Sequence, residues 1–312
     1  MSKCPLPDIT VAVCTHNRAA MLRDALMSLT AQHTASRFSY EVLVIDNAST
    51  DHTSEVVAEL VAGSNVPVRY SREPRKGLAY ARNRAVAEAR GEWHAMFDDD
   101  QIADPRWLAE LLALAKERNV RSVGGAVHLR LPDGCQRQLS EVCRRLLGAS
   151  VGWNVARPYT RKEGPGSGNQ MLHRSVFEQV GLYDDSYNQR GMDTDHYRRI
   201  RAAGIESWYT PDAVVWHVTP PSRLEEKYLR SVSLHNGWCF ARRDFQEWGR
   251  LALAGVAVAR LGQALCMHFP RWLWAKSAGQ SEQRVAARCL FWRMRGYVRC
   301  ALLLIASPFS KT

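Results

Sequence analysis

The chain has 312 residues, of which 46% are hydrophobic, 23% charged and 9% aromatic, and no low-complexity tract interrupts it. That composition excludes a disordered or fibrous protein and suits one large domain or two modest ones. The net charge of +11 is uneven: residues 221–312 hold 15 Lys/Arg and 5 Asp/Glu, a net +10, and residues 1–220 hold the remaining +1. A strongly basic segment seeks an acidic partner such as nucleic acid, anionic lipid or an acidic polymer.

The first elements alternate. Residues 9–14 form a β-rich run that ends in the polar turn Thr15-His16-Asn17-Arg18, after which Leu22, Ala25, Leu26 and Leu29 recur at helix spacing. Residues 42–45 are apolar without alternation, which argues a strand covered on both faces, as in a parallel sheet. Asn47, Ser49, Thr50 and Asp51 are N-cap residue types ahead of a helix through Val56, Val57 and Leu60. A third strand is expected near 66–71, a helix over 78–89 stopped by Gly91, and a fourth strand over 93–97 that runs into Asp98-Asp99-Asp100. This order predicts a doubly wound α/β sheet whose ligands bind beyond the carboxyl ends of the strands. Each polar cluster falls at such an end.

Farther on, 164–168 reads as a glycine-rich loop, a lid or a linker, ahead of Asn169. A helix over 197–203 follows Asp193 and Asp195, and Trp216-His217 ends the last strand. After Pro220-Pro221 the β-rich alternation stops. Helices are expected over 224–247, 251–269, 271–275 and 285–305, with five of the ten tryptophans interleaved among arginines. The expected division is therefore a 1–220 body and a 221–312 helical appendage. Trp- and Arg-bearing amphipathic helices suit the headgroup layer of an anionic membrane. The plainer alternative is a helical subdomain packed on the body. No nucleic-acid recognition module accompanies the charge, so nucleic acid is not expected.

Eight cysteines form no C-x-x-C pair, which argues against zinc ribbons and thioredoxin-type redox chemistry. Cys14 and Cys266 lie in apolar runs, where Cys behaves as a small hydrophobe. Met1–Asp8 lacks the apolar core of a signal peptide. A cytoplasmic protein, peripheral on the inner face of the plasma membrane, is expected. The most apolar helical run, 251–269, is broken by Arg260, so a spanning helix is not favoured.

The acidic triplet carries the chemistry. Three adjacent carboxylates repel one another unless something cationic sits among them. At a strand end they offer hard oxygen ligands to Mg2+ or Mn2+. Strand alternation would turn Asp98 and Asp100 one way and Asp99 the other.

The ordered motifs resemble a family 2 glycosyltransferase of the GT-A fold. They are Val13-Cys14-Thr15-His16-Asn17-Arg18, Val44-Ile45-Asp46-Asn47-Ala48-Ser49-Thr50-Asp51, Gly77-Leu78-Ala79-Tyr80-Ala81-Arg82-Asn83, and Phe97-Asp98-Asp99-Asp100 with Pro105 and Trp107-Leu108. Gly166-Ser167-Gly168-Asn169-Gln170-Met171, Phe177-Glu178-Gln179-Val180-Gly181 and Gly191-Met192-Asp193-Thr194-Asp195 complete the set, over about residues 8–218.

The resemblance implies a Rossmann-like, mostly parallel sheet flanked by helices. It implies an inverting, metal-dependent transfer from a nucleotide-sugar donor to a saccharide hydroxyl. The natural acceptor is a lipid-linked saccharide of envelope polysaccharide or glycolipid synthesis in a bacterium. It places Thr15, Asn17 and Arg18 along the nucleotide pocket, Asp46 on the base, Asp51 beneath that loop and Arg82 on the diphosphate. Asp99 would touch the donor ribose or sugar, and Asn169 lines the donor site. Asp98 and Asp100 match its metal-binding Asp-x-Asp, with His217 as a further ligand, and Asp193 matches its catalytic base. Met192 departs from the pattern, standing where a Glu is common. Asp195 is the alternative base.

Each residue also has a structural reading. Asp46 suits a turn, Arg82 an exposed helix face, and Asp193 and Asp195 the N-cap of the 197–203 helix. His217 suits a structural or solvent-facing position. Two other functions compete. A sugar-phosphate nucleotidyltransferase needs a glycine-rich basic loop after the first strand, which Thr15–Arg18 lacks. A non-catalytic membrane-bound scaffold of the same fold is favoured by Met192 alone.

Overall fold

A computed structural model describes residues 6–150, 152–161, 163–166, 168–187 and 191–306. Cys4 and Ser167, and most of the N-terminal segment read for a signal peptide, lie outside the described residues. Two compact units result: the chain up to Arg130 with Ser150–Val218, and Leu131–Ala149 with the chain from Thr219 onward. Leu131–Ala149, which the sequence leaves inside the body, belongs to the second unit.

The first unit opens with β1 (Ile9–Thr15), α1 (Ala19–Thr30), β2 (Tyr40–Asp46), α2 (Thr53–Gly63), β3 (Val68–Arg72), α3 (Leu78–Glu88) and β4 (Trp93–Asp98). Strands β3, β2, β1 and β4 are adjacent in that order and all parallel. Residues 40–46 are buried throughout, as the unbroken apolar run requires.

The rest of the sheet is mixed. It is built from β5 (Gln101–Ala103), α4 (Trp107–Arg118) and β6 (Ser122–Arg130). In the second unit α5 (Glu141–Leu146) follows. The first unit resumes with β7 (Arg157–Pro158), β8 (Asn169–His173), α6 (Arg174–Val180), α7 (Met192–Ala202) and β9 (Ser207–Val218). β8 runs antiparallel between β4 and β6, and β9 pairs parallel with β6 and antiparallel with β5 and β7. The expectation of a mostly parallel sheet therefore holds for the first four strands and the β6–β9 pair, while β8, β5 and β7 join antiparallel. Inserting β8 beside β4 brings Asn169 opposite Phe97 and so sets Gly168 against Asp98 at the end of β4.

One apolar core fills the side of the sheet under α1 and α4, around Leu22, Leu26, Trp107 and Leu111. A second lies under α3, α6 and α7, around Met96, Phe177 and Ile200. In that second core the His94 and His196 rings each stand 5.3 Å from the Phe177 ring. Burial, reinforced by Arg174 beside His94 and Arg199 beside His196, pushes both imidazoles down to about 4.

Between pH 6.5 and 4 the unfolded chain binds protons that the folded one refuses, so each histidine lowers stability as pH falls through that window. A His94→Gln variant is expected to show a shallower loss than wild type over pH 6.5–4, by up to about 1.4 kcal/mol per pH unit, the slope of one proton. Chemical denaturation of both proteins at several pH values checks this, and equal slopes would refute it.

The second unit adds α8 (Pro221–Leu224), α9 (Glu226–Gln263), a π turn (Ala264–His268), α10 (Phe269–Ser277) and α11 (Ser281–Ala306). Gly249, at φ +76°, breaks α9 into two helical lengths, a backbone conformation that side chains other than glycine rarely adopt. A Cβ on Gly296 would strike the Leu234 backbone, so α9 and α11 cross at close backbone approach. Cys266, expected inside an apolar run, is exposed on the π turn, because the apolar run itself faces outward there.

Candidate active site

The site gathers at the carboxyl ends of β1, β2 and β4. β4 ends at Asp98, and the chain turns at Asp99 and Asp100 before β5. This turn overrides strand alternation. Asp99 and Asp100 share one cation, Arg18, whose Nη1 donates to Asp99 Oδ1 at 2.8 Å and to Asp100 Oδ2 at 3.1 Å. Thr15 Oγ1 donates to Asp99 Oδ2 at 2.8 Å. His217, at the end of β9, places Nε2 3.3 Å from Asp100 Oδ1.

Arg82 is the hub. It lies in the first half of α3 and is 3% exposed, so the exposed-helix alternative is corrected. Its Nη2 donates to Asp98 Oδ1 at 3.3 Å and its Nη1 donates to Asp193. Burial alone would lower the guanidinium, but Asp193 and Asp98 hold it above its ordinary value. Asp98 is pushed up to about 6 by burial and by Asp100 and Asp193, against the pull of Arg82. The cations demanded by three adjacent carboxylates are thus supplied from two separate elements, Arg18 from the turn after β1 and Arg82 from α3.

The loop ahead of β8 closes on this cluster. A Cβ on Gly168 would run into the Asp98 carboxylate, with Cγ 2.6 Å away and Gln101 Nε2 at 2.7 Å. Only glycine leaves Asp98 its place there.

Asp193 and Asp195 both lie in the first turn of α7, which starts at Met192, not at 197. They therefore do not cap a helix over 197–203. A carboxylate in a first helical turn is favoured by the helix dipole. The two then part company. Asp195 is 5% exposed in its side chain and accepts from Arg198 Nη2 at 2.8 Å and Arg199 Nε at 2.9 Å. Asp193 keeps 36% of its side chain exposed and faces Arg82.

The β1 and β2 loops are tied together by polar contacts. Asn17, at φ +52°, accepts from the Thr50 backbone N–H at 2.7 Å, and its own N–H donates to Ser49 Oγ at 2.9 Å. Asn is among the residues that tolerate this left-handed backbone. Asp51 accepts from the N–H groups of Ala19 and Thr53, each at 3.2 Å, and so ties α1 to α2. Asp46 is buried, accepting from Ser49 N–H at 2.8 Å, a turn contact, and from Tyr70 Oη at 2.6 Å. Burial and Asp46 push Tyr70 up to about 12, so it remains a donor. Tyr70 was missed in the sequence, where nothing marks a tyrosine in β3 as facing the β2 end.

Asn169 stands apart from the cluster. Its Oδ1 accepts from Trp107 Nε1 at 2.7 Å, and its Nδ2 donates to the Ala126 and Ala213 carbonyls at 2.9 and 3.1 Å. Its amide is spent within the sheet. Asn83 likewise makes a two-way bracket with the Tyr183 backbone, at 2.8 and 2.9 Å.

Among the described residues, no group of three or more His, Cys, Asp or Glu side chains is placed to hold a metal ion as it stands. The donor types are nevertheless those a hard divalent ion takes: the carboxylates of Asp98, Asp99, Asp100 and Asp193 gather around Arg18, Arg82 and His217.

A family model described as Glycosyl transferase family 2 matches residues 10–181. The succinoglycan biosynthesis protein ExoM of Rhizobium meliloti is 24% identical over 84% of this chain and 85% of its own length. The N-acetylglucosaminyl-diphospho-decaprenol L-rhamnosyltransferase of Mycobacterium tuberculosis is 28% identical over 81% and 93%. Among solved structures, a mannosyltransferase from Pyrobaculum calidifontis in complex with GDP-Man and Mn2+ superposes with a TM-score of 0.62 at 19% identity, covering 96% of this chain and 90% of that one.

Proposed function

This chain belongs to glycosyl transferase family 2 and is a glycosyltransferase, and from that premise we propose an inverting, metal-dependent transfer from a nucleotide-sugar donor to a lipid-linked saccharide hydroxyl. The observation that carries this reading is the Arg82 bridge. One buried guanidinium holds together the carboxylate ending β4 and the carboxylate opening α7.

In this reading Asp193 takes the proton of the acceptor hydroxyl. The acceptor oxygen forms its bond to the anomeric carbon as the bond from that carbon to the diphosphate oxygen breaks on the opposite face. The leaving diphosphate keeps the electron pair. Arg82 and Arg18 pair with phosphate oxygens, which a guanidinium contacts through two N–H groups at once. Asp98 and Asp100, with His217 alongside, would hold Mn2+ or Mg2+, which offsets charge on the leaving group.

Thr15, Asn17 and Asp51 shape the nucleotide pocket. Asp46 receives the base through a lone pair left by Ser49 and Tyr70, and Asp99 meets the ribose or sugar. Asn169 acts indirectly, by fixing the start of β8 next to Gly168, which meets Asp98. Asp195, bound by two arginines, serves helix α7 and not the proton transfer.

The relatives include a succinoglycan biosynthesis protein and a transferase whose acceptor is a decaprenyl diphosphate sugar. By analogy this chain serves envelope polysaccharide or glycolipid assembly, at the cytoplasmic face of an anionic membrane. Calorimetry of UDP, dTDP, GDP and CMP, with and without Mn2+, tests the donor site. One diphosphate is expected to bind with metal and to lose at least tenfold in affinity in Asp100→Ala. Binding that ignores both metal and Asp100 would overturn the metal assignment.

A further inference from the structure

The second unit has an apolar core around Ala241, Leu253, Tyr297, Cys300 and Ala301. Within it Asp244, 1% exposed, accepts from Tyr297 Oη at 2.8 Å and pairs with Arg243, and Arg260 lies 4.3 Å over the Tyr297 ring. Further apolar side chains are left on its outside. Leu251 is 91% exposed, Val258 69%, Leu265 68% and Trp274 59%, with Phe269 and Leu273 also exposed.

These positions form one row. Leu251, Val258 and Leu265 are spaced by seven residues, two helical turns. The π turn at Ala264–His268 takes up one extra residue, and the row resumes at Phe269 and Leu273. Beyond residue 250 the sequence contains nine Lys/Arg and one acidic residue, Glu282, which is paired with Arg137. An apolar row within so basic a segment matches a surface that is apolar inside and anionic outside.

We propose that this row seats the second unit in the plane of an anionic lipid leaflet, with the apolar side chains among the upper acyl chains and the arginines and lysines at the headgroups. The proposal rests on the reading of a membrane-surface enzyme and deepens it by naming the protein surface and the depth. The helix from Glu226 to Ser277 is long and apolar enough to cross a bilayer. Its packing partner decides against crossing. α11 lies along α9 and carries Arg284, Arg288, Arg295 and Arg299, spaced to share a helix face, which hydrocarbon would not accept.

The test uses the full chain and vesicles of phosphatidylcholine and phosphatidylglycerol at 7:3, against phosphatidylcholine alone. Wild type should sediment with the mixed vesicles and at least tenfold less with the neutral ones. Val258→Glu/Leu265→Glu should lose at least tenfold in vesicle affinity with an unchanged melting temperature. If that variant does not fold, Arg271→Gln/Lys276→Gln should still lose severalfold. Brominated lipids should quench Trp274, judged against Trp274→Phe, more strongly from the 6,7 position than from the 11,12 position.

Unimpaired vesicle binding by the variants, no binding by wild type, or stronger quenching from the deeper bromines would overturn the proposal. So would a wild-type dimer that the glutamate variant converts to monomer without any vesicle binding. Donor binding in buffer separates the two readings: it should persist in the glutamate variant, and its absence in wild type would count against the transferase site alone.

Discussion

Asp193→Asn should lower turnover about 10²–10⁴-fold, the range expected when a positioned general base is removed. Donor affinity should change by less than about threefold, because the proposed donor contacts come from Arg18, Arg82 and the β4 end. The amide is nearly isosteric, and α7 keeps the Asp195 pairs with Arg198 and Arg199 that hold its first turn. Asp195→Asn should instead weaken α7 and leave most of the rate. Steady-state kinetics of both variants, with donor binding measured separately, distinguishes the two carboxylates. Equal turnover losses would mean that Asp193 is not the proton acceptor.

Arg82→Met should destabilise the protein by about 2–3 kcal/mol. Removing one partner of a buried ion pair costs about 3–5 kcal/mol. Here Asp98 and Asp193 keep 40% and 36% of their side chains exposed, so solvent returns part of that cost. Mn2+ should stabilise the variant more than wild type, since a cation that binds only the folded state adds stability by mass action and the variant has lost a competing charge. Denaturant unfolding with and without Mn2+ reads both effects. A loss below about 0.5 kcal/mol would show that Asp98 and Asp193 do not depend on Arg82. Donor affinity should fall as well, because the same guanidinium is assigned to the diphosphate.

Much of this was legible in the chain. Val42–Ile45 could only be a strand covered on both faces, and β2 is buried along its whole length. The acidic triplet required cations, though not which ones. Arg18 could be suspected from its place after β1. Arg82 could not be told from a solvated helix arginine, because helix periodicity does not say what stands across from a face.

The antiparallel insertion of β8 was equally invisible, since it depends on which edge of β4 stays open after β1 has paired with the other. The start of α7 at Met192 was hidden because Asp and Thr are poor helix formers that also serve as caps. The sequence marked the C-terminal helices as amphipathic, but which of their apolar side chains face outward emerged only when α11 took the opposite face.

By itself, then, the sequence determined the elements of the parallel half-sheet, the family motifs in their order and the charge of the C-terminal segment. These follow from local periodicity and residue chemistry. The tertiary structure alone decided that Arg82 joins Asp98 to Asp193, that Asp195 is spent on arginines, that Asn169 serves the sheet, and that Leu251, Val258 and Leu265 face outward. Each of these depends on which groups separated by many residues come within hydrogen-bond or packing distance, and no local pattern encodes that proximity.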